Sequence, residues 1–312
     1  MVFIMAVSTG SSHRRDVFVG VAFALLAAIG FSAKAILVKL AYQDPVDAIA
    51  LLALRMAFSA PFFLGVAAWL YYRHAEPLSR RDWLLVLSLG LIGYYLSSFL
   101  DFLGLQHISA GLERLILFLY PTMTVLLSAL LYKRVIGRKI IAALALCYAG
   151  IALVFLHDIG MKEGGAVVLG SLLVFGSTLS YSLYLVGAGH AIARIGATRF
   201  TAYAMIVACA ASLLQFAATH PLHALALPLR VYELSIAMAL FSTVLPVFLL
   251  AYAIRRIGPG NASLIGTVGP VSTIFMAWAT LGENVSLLQI AGSALVLGGV
   301  LMVSMNSKKE AG

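Results

Sequence analysis

Apolar segments of about 20 residues follow one another almost without interruption from Val17 to Met305. An α-helix needs this length to cross the hydrocarbon core of a bilayer. Hydrophobic residues make up 62% of the chain and charged residues 11%, whereas soluble domains carry about 25% charged residues. A water-soluble fold cannot cover so much apolar surface. Because a lipid-exposed backbone must satisfy its hydrogen bonds within the segment, the sequence predicts an all-α membrane protein.

The span length divides the chain into ten predicted transmembrane helices. They lie at residues 17–40, 46–72, 83–103, 109–131, 138–156, 166–188, 198–219, 231–253, 259–281 and 286–305. Residues 1–16 are predicted to form a cytoplasmic N-terminal tail, 158–165 a connecting loop and 306–312 a cytoplasmic C-terminal tail. The spans fall into two groups of five helices, residues 17–157 and 166–305.

Basic residues alternate between the loops and indicate the orientation. Fifteen of the 21 lie on one side: Arg14, Arg15, Arg73, Arg80, Arg81, Lys133, Arg134, Arg138, Lys139, Arg194, Arg199, Arg255, Arg256, Lys308 and Lys309. Cytoplasmic loops carry the excess of lysine and arginine in membrane proteins. This distribution explains the net charge of +9 without nucleic acid. We expect a multi-pass protein of the bacterial inner membrane with both termini in the cytoplasm.

The two halves of the chain repeat each other. With an offset of 149 residues, 99–154 align with 248–303 without a gap, and 14 of 56 pairs are identical. The pairs include Gly111/Gly260, Pro121/Pro270 and Gly150/Gly299, and farther upstream Gly30, Phe31 and Ser32 align with Gly176, Ser177 and Thr178. Consecutive copies of a five-helix unit enter the membrane from opposite sides. The sequence therefore predicts two inverted repeats, an architecture typical of secondary transporters.

These features resemble the EamA family of the drug/metabolite transporter superfamily. The resemblance covers nearly the whole chain and rests on Gly30 to Ser32, Arg55, the segments 115–121 and 264–270, and the motifs at 281–283 and 298–300. It implies ten helices, a central cavity and the export or uptake of small metabolites. The chain departs from the family pattern at Arg134, where an acidic residue corresponding to Glu283 is common, and at the charged pair Glu113 and Arg114.

Ionisable side chains inside the predicted spans are concentrated in the first unit. They are Lys34, Lys39, Arg55, Asp101, Glu113 and Arg114. A charged side chain in a span needs a partner, a wet cavity or a function, because its insertion costs roughly 2.5–3.5 kcal/mol. We interpret the set as a positively biased pocket in which Lys34 and Arg114 hold an anionic group and Arg55 contributes from the midplane. Glu113 or Asp101 would be a partner or a proton-coupling group; internal ion pairing is the alternative.

The remaining predicted site residues are aromatic residues and prolines. Tyr181 and Tyr184 follow Ser177 and Ser180 on span 6, and this polar stripe is expected to face Lys34 and contact substrate. Pro121 and Pro270 are expected to act as hinges or to line the cavity, because a proline inside a helix frees a carbonyl one turn earlier. Lys39 and Asp101 lie near helix ends, where we expect their side chains to reach the interface.

Several other functions find little support in the sequence. The chain has no Gly-x-x-x-x-Gly-Lys-Ser/Thr loop and no His-Glu-x-x-His motif, and Cys147 and Cys209 lie in separate spans. We therefore expect no cofactor, no metal site and no enzymatic activity. The prediction is a secondary transporter of small carboxylate-bearing metabolites such as amino acids, working by alternating access and most consistent with export. A proton or a counter-substrate would couple it, and the protein would be a monomer or homodimer among membrane lipids. A channel, or a membrane-embedded enzyme or scaffold without transport activity, is the alternative.

Overall fold

The computed structural model describes residues 5–73, 77–131, 133, 137–161, 164–283 and 285–310, and these residues form helices and no strands. We number the helices α1 to α10. Their bounds are Met5–Ala41 (α1), Ala48–Arg73 (α2), Arg80–Leu105 (α3), Ala110–Leu131 (α4), Arg138–Met161 (α5), Gly164–Ile195 (α6) and Ala197–Thr219 (α7). Helix α8 has three parts, Leu229–Ala239, Leu240–Val244 and Leu245–Gly266, and is followed by Val268–Leu281 (α9) and Leu287–Glu310 (α10).

Seven helices of the described part are long and apolar enough to cross a membrane, and three shorter apolar helices lie at Ile140–Leu156, Val268–Leu281 and Leu287–Met302. Each of them overlaps one of the predicted spans, although span 9, predicted from residue 259, is formed only by Val268–Leu281. Helices α1, α6 and α10 continue past the predicted spans into the polar flanks, because an α-helix satisfies its own backbone outside the lipid as well. The connecting residues Lys162 and Glu163 and the basic residue Arg134 lie outside the described residues.

Helices α3 and α8 each contain a π-helical segment. The segments are Leu91–Leu96 and Leu240–Val244, and the 149-residue offset places one on the other. A π-helical turn disturbs the regular hydrogen-bond pattern and often marks a functional site. At each segment a hydroxyl group donates a hydrogen bond to a backbone carbonyl. Ser180 of α6 donates to the Ile92 carbonyl over 2.6 Å, and Thr243 donates to the Met238 carbonyl over 3.1 Å.

Two further helix breaks are also related by the repeat. Helix α4 is interrupted between Ala110–Leu117 and Tyr120–Leu131, and α8 gives way to α9 at Thr267. Each break precedes a proline, Pro121 or Pro270, by about one turn. The missing proline N–H and the bulk of the ring explain the interruption. The predicted break between spans 8 and 9 lay instead near residues 254–258, where the helical backbone is continuous.

Hydroxyl groups from the opposite half satisfy carbonyls near these breaks. Thr178 and Ser182 of α6 donate to the carbonyls of Ile116 and Tyr120, each over 3.2 Å. Ser32 of α1 donates to the Gly269 carbonyl over 2.9 Å. A buried carbonyl without a partner is costly, so these contacts stabilise the interrupted helices and join the halves.

Helices α5 and α10 pack closely through small residues. A Cβ on Gly150 would lie 2.4 Å from the Gly292 carbonyl oxygen, and one on Gly299 would lie 2.5 Å from the Ala143 carbonyl oxygen. Between these points, Cys147 Sγ lies 3.6 Å from the carbonyl oxygen of Val296, the residue related to it by the repeat. Contacts that advance along α5 retreat along α10, so the two helices run antiparallel. Small residues allow this close approach.

The other main contacts also cross between the halves. Helix α1 packs against α8 and α9, whereas α6 packs against α3 and α4, and α2 packs against α7. The Met56 and Cys209 sulfur atoms are 3.9 Å apart, and farther toward the start of α2, Ala50 and Ala53 cluster with Phe216. Helices α2 and α7 therefore also run antiparallel. The core is thus formed largely between the halves and not within each of them.

Gly299 and its neighbour Gly298 offer a matched test of the α5/α10 contact. We expect Gly299→Ala to lower the free energy of unfolding by about 1–3 kcal/mol, because the added methyl group would overlap Ala143 and Cys147. No atom lies within 4 Å of a Cβ added at Gly298, so Gly298→Ala should leave stability unchanged or raise it by up to about 1 kcal/mol. Thermal unfolding of the purified variants in detergent measures both. Equal stability of the two variants would contradict this packing.

Candidate functional site

Lys34 lies between two carboxylates. Its Nζ atom is 2.9 Å from Glu113 Oε1 and donates a hydrogen bond to Asp101 Oδ2. The three residues come from α1, α4 and α3, and their side chains are 14%, 0% and 3% exposed, respectively. One ammonium group therefore serves two buried carboxylates. This cluster joins α1, whose other contacts are to the second half, to two helices of the first half.

The start of α4 fixes the position of Glu113 and Arg114. Ser109 precedes the helix with an extended backbone and accepts a hydrogen bond from the Leu112 N–H over 3.1 Å, as an N-cap does. Glu283, at the end of α9, accepts another from the Ala110 N–H over 3.0 Å. With its first turn capped from both halves, α4 points Glu113 into the buried interior.

Arg114 directs its guanidinium group toward the other half. Its Nη2 atom lies 2.7 Å from the position that a Cβ on Gly269 would occupy, so the glycine leaves room for the guanidinium. Its Nε atom is buried without a hydrogen-bond partner among the described residues. The group also interacts electrostatically with the hydroxyls of Tyr120 and Tyr181. Arg114 thus keeps a buried donor for an acceptor that the described chain does not supply.

Arg55 occupies a neighbouring position in the same layer. It is 7% exposed, lies 5.3 Å from the centre of the Phe102 ring, and donates from Nε to Thr243 Oγ1 over 3.0 Å. Its Nη1 atom is buried, and none of the described residues accepts a hydrogen bond from it. Because Phe102 follows Asp101, the Arg55 and Lys34 environments meet on one turn of α3. Thr243 belongs to the π-helical segment of α8, so this segment takes part in the site.

Tyr181 and Tyr184 form an aromatic cluster beside this layer. Their rings stack with centroids 5.6 Å apart, and Tyr181 meets the Tyr120 ring edge-on at 5.6 Å. The Tyr184 hydroxyl lies 2.8 Å from that of Tyr94, and its ring packs on Gly93. Tyr184 is 4% exposed and is held by these contacts, whereas Tyr181 is half-buried.

The structure brings several predicted site residues together. Lys34, Glu113 and Arg114 share one buried layer with Arg55, and Ser177 and Ser180 donate hydrogen bonds to α3 at Ser97 and Ile92. Pro121 and Pro270 lie at the two helix breaks. Asp101, expected to reach the interface, is instead 2% exposed and pairs with Lys34.

Thr243 was missed because no sequence signal marks a π-helical segment. Asp101 was undervalued although one signal was available: a carboxylate within a span requires a cation, and Lys34 is predicted at similar depth. That rule would have indicated the pair, whereas the position of Asp101 near a helix end favoured an interfacial side chain.

The EamA-like transporter family model matches residues 18–156 and again 168–305. The chain belongs to the EamA-like transporter family. The two matches fall on the two halves whose contacts form the site, and the resemblance to the EamA type of the drug/metabolite transporter superfamily is confirmed.

Named relatives extend this result. The chain is 32% identical to the uncharacterized transporter YcbK of Bacillus subtilis, over 94% of this chain and 93% of that protein. It is 27% identical to an S-adenosylmethionine/S-adenosylhomocysteine transporter of Chlamydia trachomatis, over 74% of this chain and 72% of the relative. A solved crystal structure matches with a TM-score of 0.60 at 18% identity, covering 93% of this chain and 98% of the other; it supports the fold alone. The protein is thus a multi-pass membrane transporter of small molecules.

The cluster of one lysine and two carboxylates predicts a specific mutational pattern. We expect Lys34→Met to lower the free energy of unfolding by about 3–5 kcal/mol, because two buried carboxylates lose their only observed ion-pair partner. The triple variant Lys34→Met, Asp101→Asn, Glu113→Gln removes all three charges and should recover most of this loss. Thermal unfolding in one detergent compares the three proteins. A single variant as stable as the wild type would show that the ion pairs contribute nothing.

Proposed function

We propose that the protein is a secondary active transporter that carries small carboxylate-bearing metabolites, such as amino acids, by alternating access. The main supporting observation is a pair of buried arginine donors from which the carboxylates of this layer accept no hydrogen bond. Asp101 and Glu113 both contact Lys34. Arg55 and Arg114 each retain a buried nitrogen without a hydrogen-bond partner among the described residues.

The charges in this layer favour an anionic group. Three cationic side chains, those of Lys34, Arg55 and Arg114, lie near two carboxylates. A guanidinium binds a carboxylate through two parallel hydrogen bonds, which gives orientation as well as energy. We assign the substrate carboxylate to Arg114, with Arg55 and Lys34 adding to the positive potential. A carboxylate arriving there would receive donors already freed from water.

The aromatic cluster supplies a second surface for the substrate. Tyr181 stacks on Tyr184 and lies close to the Arg114 guanidinium. A metabolite that places its carboxylate on Arg114 would bring its remaining atoms to the Tyr181 ring. S-adenosylmethionine, named for the chlamydial relative, has a carboxylate and a planar adenine that fit these two surfaces. It belongs in the first panel of test substrates.

Coupling is assigned to the two carboxylates that share Lys34. When both are ionised they carry one negative charge more than the lysine balances, in a place where water is scarce. Binding of a proton by Glu113 removes the excess, and Asp101 keeps the ion pair. Exchange against a counter-substrate is the alternative: a second anion would take the place of the first on Arg114, and no proton would be needed.

The proposed architecture is ten transmembrane helices in two inverted five-helix repeats, residues 17–157 and 166–305, with cytoplasmic termini. The antiparallel pairs α5/α10 and α2/α7 support it, since each pairs helices at the same place in the two units. So do the repeat-related π-helical segments and helix breaks. Pro121 and Pro270 lie at these breaks and are assigned as hinges, because the α-helical hydrogen bonds there are already interrupted.

Two ion pairs between the halves lie at positions where a transporter that works by alternating access must close its cavity. Arg194 Nε at the end of α6 is 2.9 Å from Asp82 Oδ1 at the start of α3. Arg230 Nη1 at the start of α8 is 3.6 Å from Asp44 Oδ2, just beyond α1. In the proposed topology the first pair faces the cytoplasm and the second faces outward. We assign these pairs as closures that open in turn.

Transport measured in reconstituted vesicles tests the function. Amino acids, organic acids, S-adenosylmethionine and neutral sugars are offered to the wild type and to Arg114→Ala, with Arg255→Ala, an exposed residue of α8, as the control. We expect saturable transport of a carboxylate-bearing compound, and an apparent affinity at least about tenfold lower in Arg114→Ala, because one charged hydrogen-bonded pair is lost. The control should transport normally.

Several outcomes of this experiment would refute the proposal. Unsaturable conductance indicates a channel, and equal transport of anionic compounds by wild type and Arg114→Ala excludes the assigned site. Vesicles of known orientation, loaded on either side, test the expected direction of export. A pH gradient that leaves substrate accumulation unchanged would exclude proton coupling and leave exchange.

Cross-linking tests the two closures. In a Cys147→Ala, Cys209→Ala background, we replace either Asp82 and Arg194 or Asp44 and Arg230 with cysteine, and treat with a reducible cross-linker. Alternating access requires each face to open, so each cross-link should stop transport and reductant should restore it. Single-cysteine variants treated in the same way should remain active. Full transport with either face locked would contradict the mechanism.

A further inference from the structure

A crevice lined by aromatic side chains lies at one end of the bundle, on the lipid-facing side of α2, α3 and α7. Its volume is about 460 Å³. Most of its wall is apolar: Leu64, Ala67, Ala68, Tyr71, Tyr72, Trp83, Tyr203, Ile206 and Val207. Trp83 is 49% exposed, and its ring lies 5.3 Å from that of Tyr203. The crevice is separate from the buried layer around Lys34.

The mouth of this crevice is basic. Each of the three helices carries arginine next to the lining residues: Arg73 at the end of α2, Arg80 and Arg81 at the start of α3, and Arg199 in the first turn of α7. The Arg199 guanidinium lies 5.8 Å from the Tyr203 ring centre, and that of Arg73 lies 4.8 Å from the Trp69 ring centre.

We propose that this crevice binds an anionic phospholipid, with an acyl chain along the Trp83 and Tyr203 wall and the phosphate between Arg73 and Arg199. A lipid has the two properties that the site requires, an apolar chain and an anionic group at its end. Aromatic side chains are favoured at the level of the lipid headgroups. Basic residues at this level attract anionic lipids, which are concentrated in the cytoplasmic leaflet. A zwitterionic lipid would also fill the crevice, but it has no net negative charge to complement the arginines.

Tryptophan fluorescence provides a direct test, because bromine atoms on an acyl chain quench a tryptophan that they touch. The double variant Trp69→Phe, Trp278→Phe leaves Trp83 as the only tryptophan. The protein is reconstituted into phosphatidylcholine containing a small fraction of either brominated phosphatidylglycerol or brominated phosphatidylcholine. We expect brominated phosphatidylglycerol to quench Trp83 several times more strongly than brominated phosphatidylcholine at the same fraction. High salt should reduce the difference.

Matched variants assign the preference to the crevice. Arg73→Gln and Arg199→Gln should each lower the relative affinity for phosphatidylglycerol about fivefold, whereas Arg255→Gln on α8 should leave it unchanged. The variant Trp69→Phe, Trp83→Phe retains Trp278, which is 55% exposed on α9, and should be quenched equally by the two lipids. If an arginine variant fails to fold, the salt dependence of lipid preference in the protein that keeps all its arginines provides a second test.

Three results would overturn the inference. Equal quenching of Trp83 by the two brominated lipids would mean that the crevice holds bulk lipid without selection. An undiminished preference in both arginine variants would place the headgroup elsewhere. Protection of Trp83 from both lipids, together with a dimer in solution, would show that a second copy of the chain covers the crevice. Because the readout is lipid contact, these results are independent of the proposed transport function.

Discussion

Lys34 carries one positive charge between two carboxylates, in helices too apolar to solvate any of the three. Removing charges from water is expensive, and mutual attraction offsets that expense only when the geometry is good. The positions of α1, α3 and α4 must therefore keep these side chains within contact. Since α1 also packs along α8 and α9, the same lysine ties the helices of both halves into one body. Both carboxylates contact the lysine, and among the described residues neither accepts a hydrogen bond from the buried nitrogens of Arg55 and Arg114.

Backbone polar groups inside the membrane need hydrogen-bond partners, just as the buried charges need ion-pair partners. A carbonyl released by a proline or a π-helical turn cannot turn to water inside a bilayer. In this chain, short hydroxyl side chains donate hydrogen bonds to carbonyls near the irregular segments. Thr178 and Ser182 donate to α4, Ser180 donates to α3, and Ser32 donates to α9. Each of these donors comes from the opposite half of the chain. Hydroxyl groups of one half thus add hydrogen bonds to the irregular helices of the other half, and these contacts join the two halves.

Much of the fold could be read from the sequence because membranes limit the choices. The length of apolar segments located the helices, and the repeat located Pro121 and Pro270 at equivalent depths. The buried charges of the first unit were also identified, since each stands out against an apolar background. The pairing of Asp101 with Lys34 was not, because the side-chain rotamers and helix rotations that bring two residues together are determined by packing.

Other features left no sequence signal. The π-helical segments have unrelated sequences, Leu91 to Leu96 and Leu240 to Val244, so Thr243 could not be linked to Arg55 in advance. Likewise, residues 254–258 were predicted to be a loop, whereas the helix continues through them and the backbone break lies at Thr267. Local composition identified the breaker residues, but neighbouring helices determined where the chain departs from the helix.

The two ion pairs between the halves are related by the repeat to within one residue, but their charges are exchanged. The first half contributes the acid of both, Asp82 and Asp44, and the second half contributes both arginines, Arg194 and Arg230. If two copies of the first half met in this way, carboxylate would face carboxylate; two copies of the second would oppose guanidinium groups. The charges therefore favour pairing of a first half with a second half over pairing of two identical halves. With this arrangement of charges, neither half could form the same assembly as a homodimer.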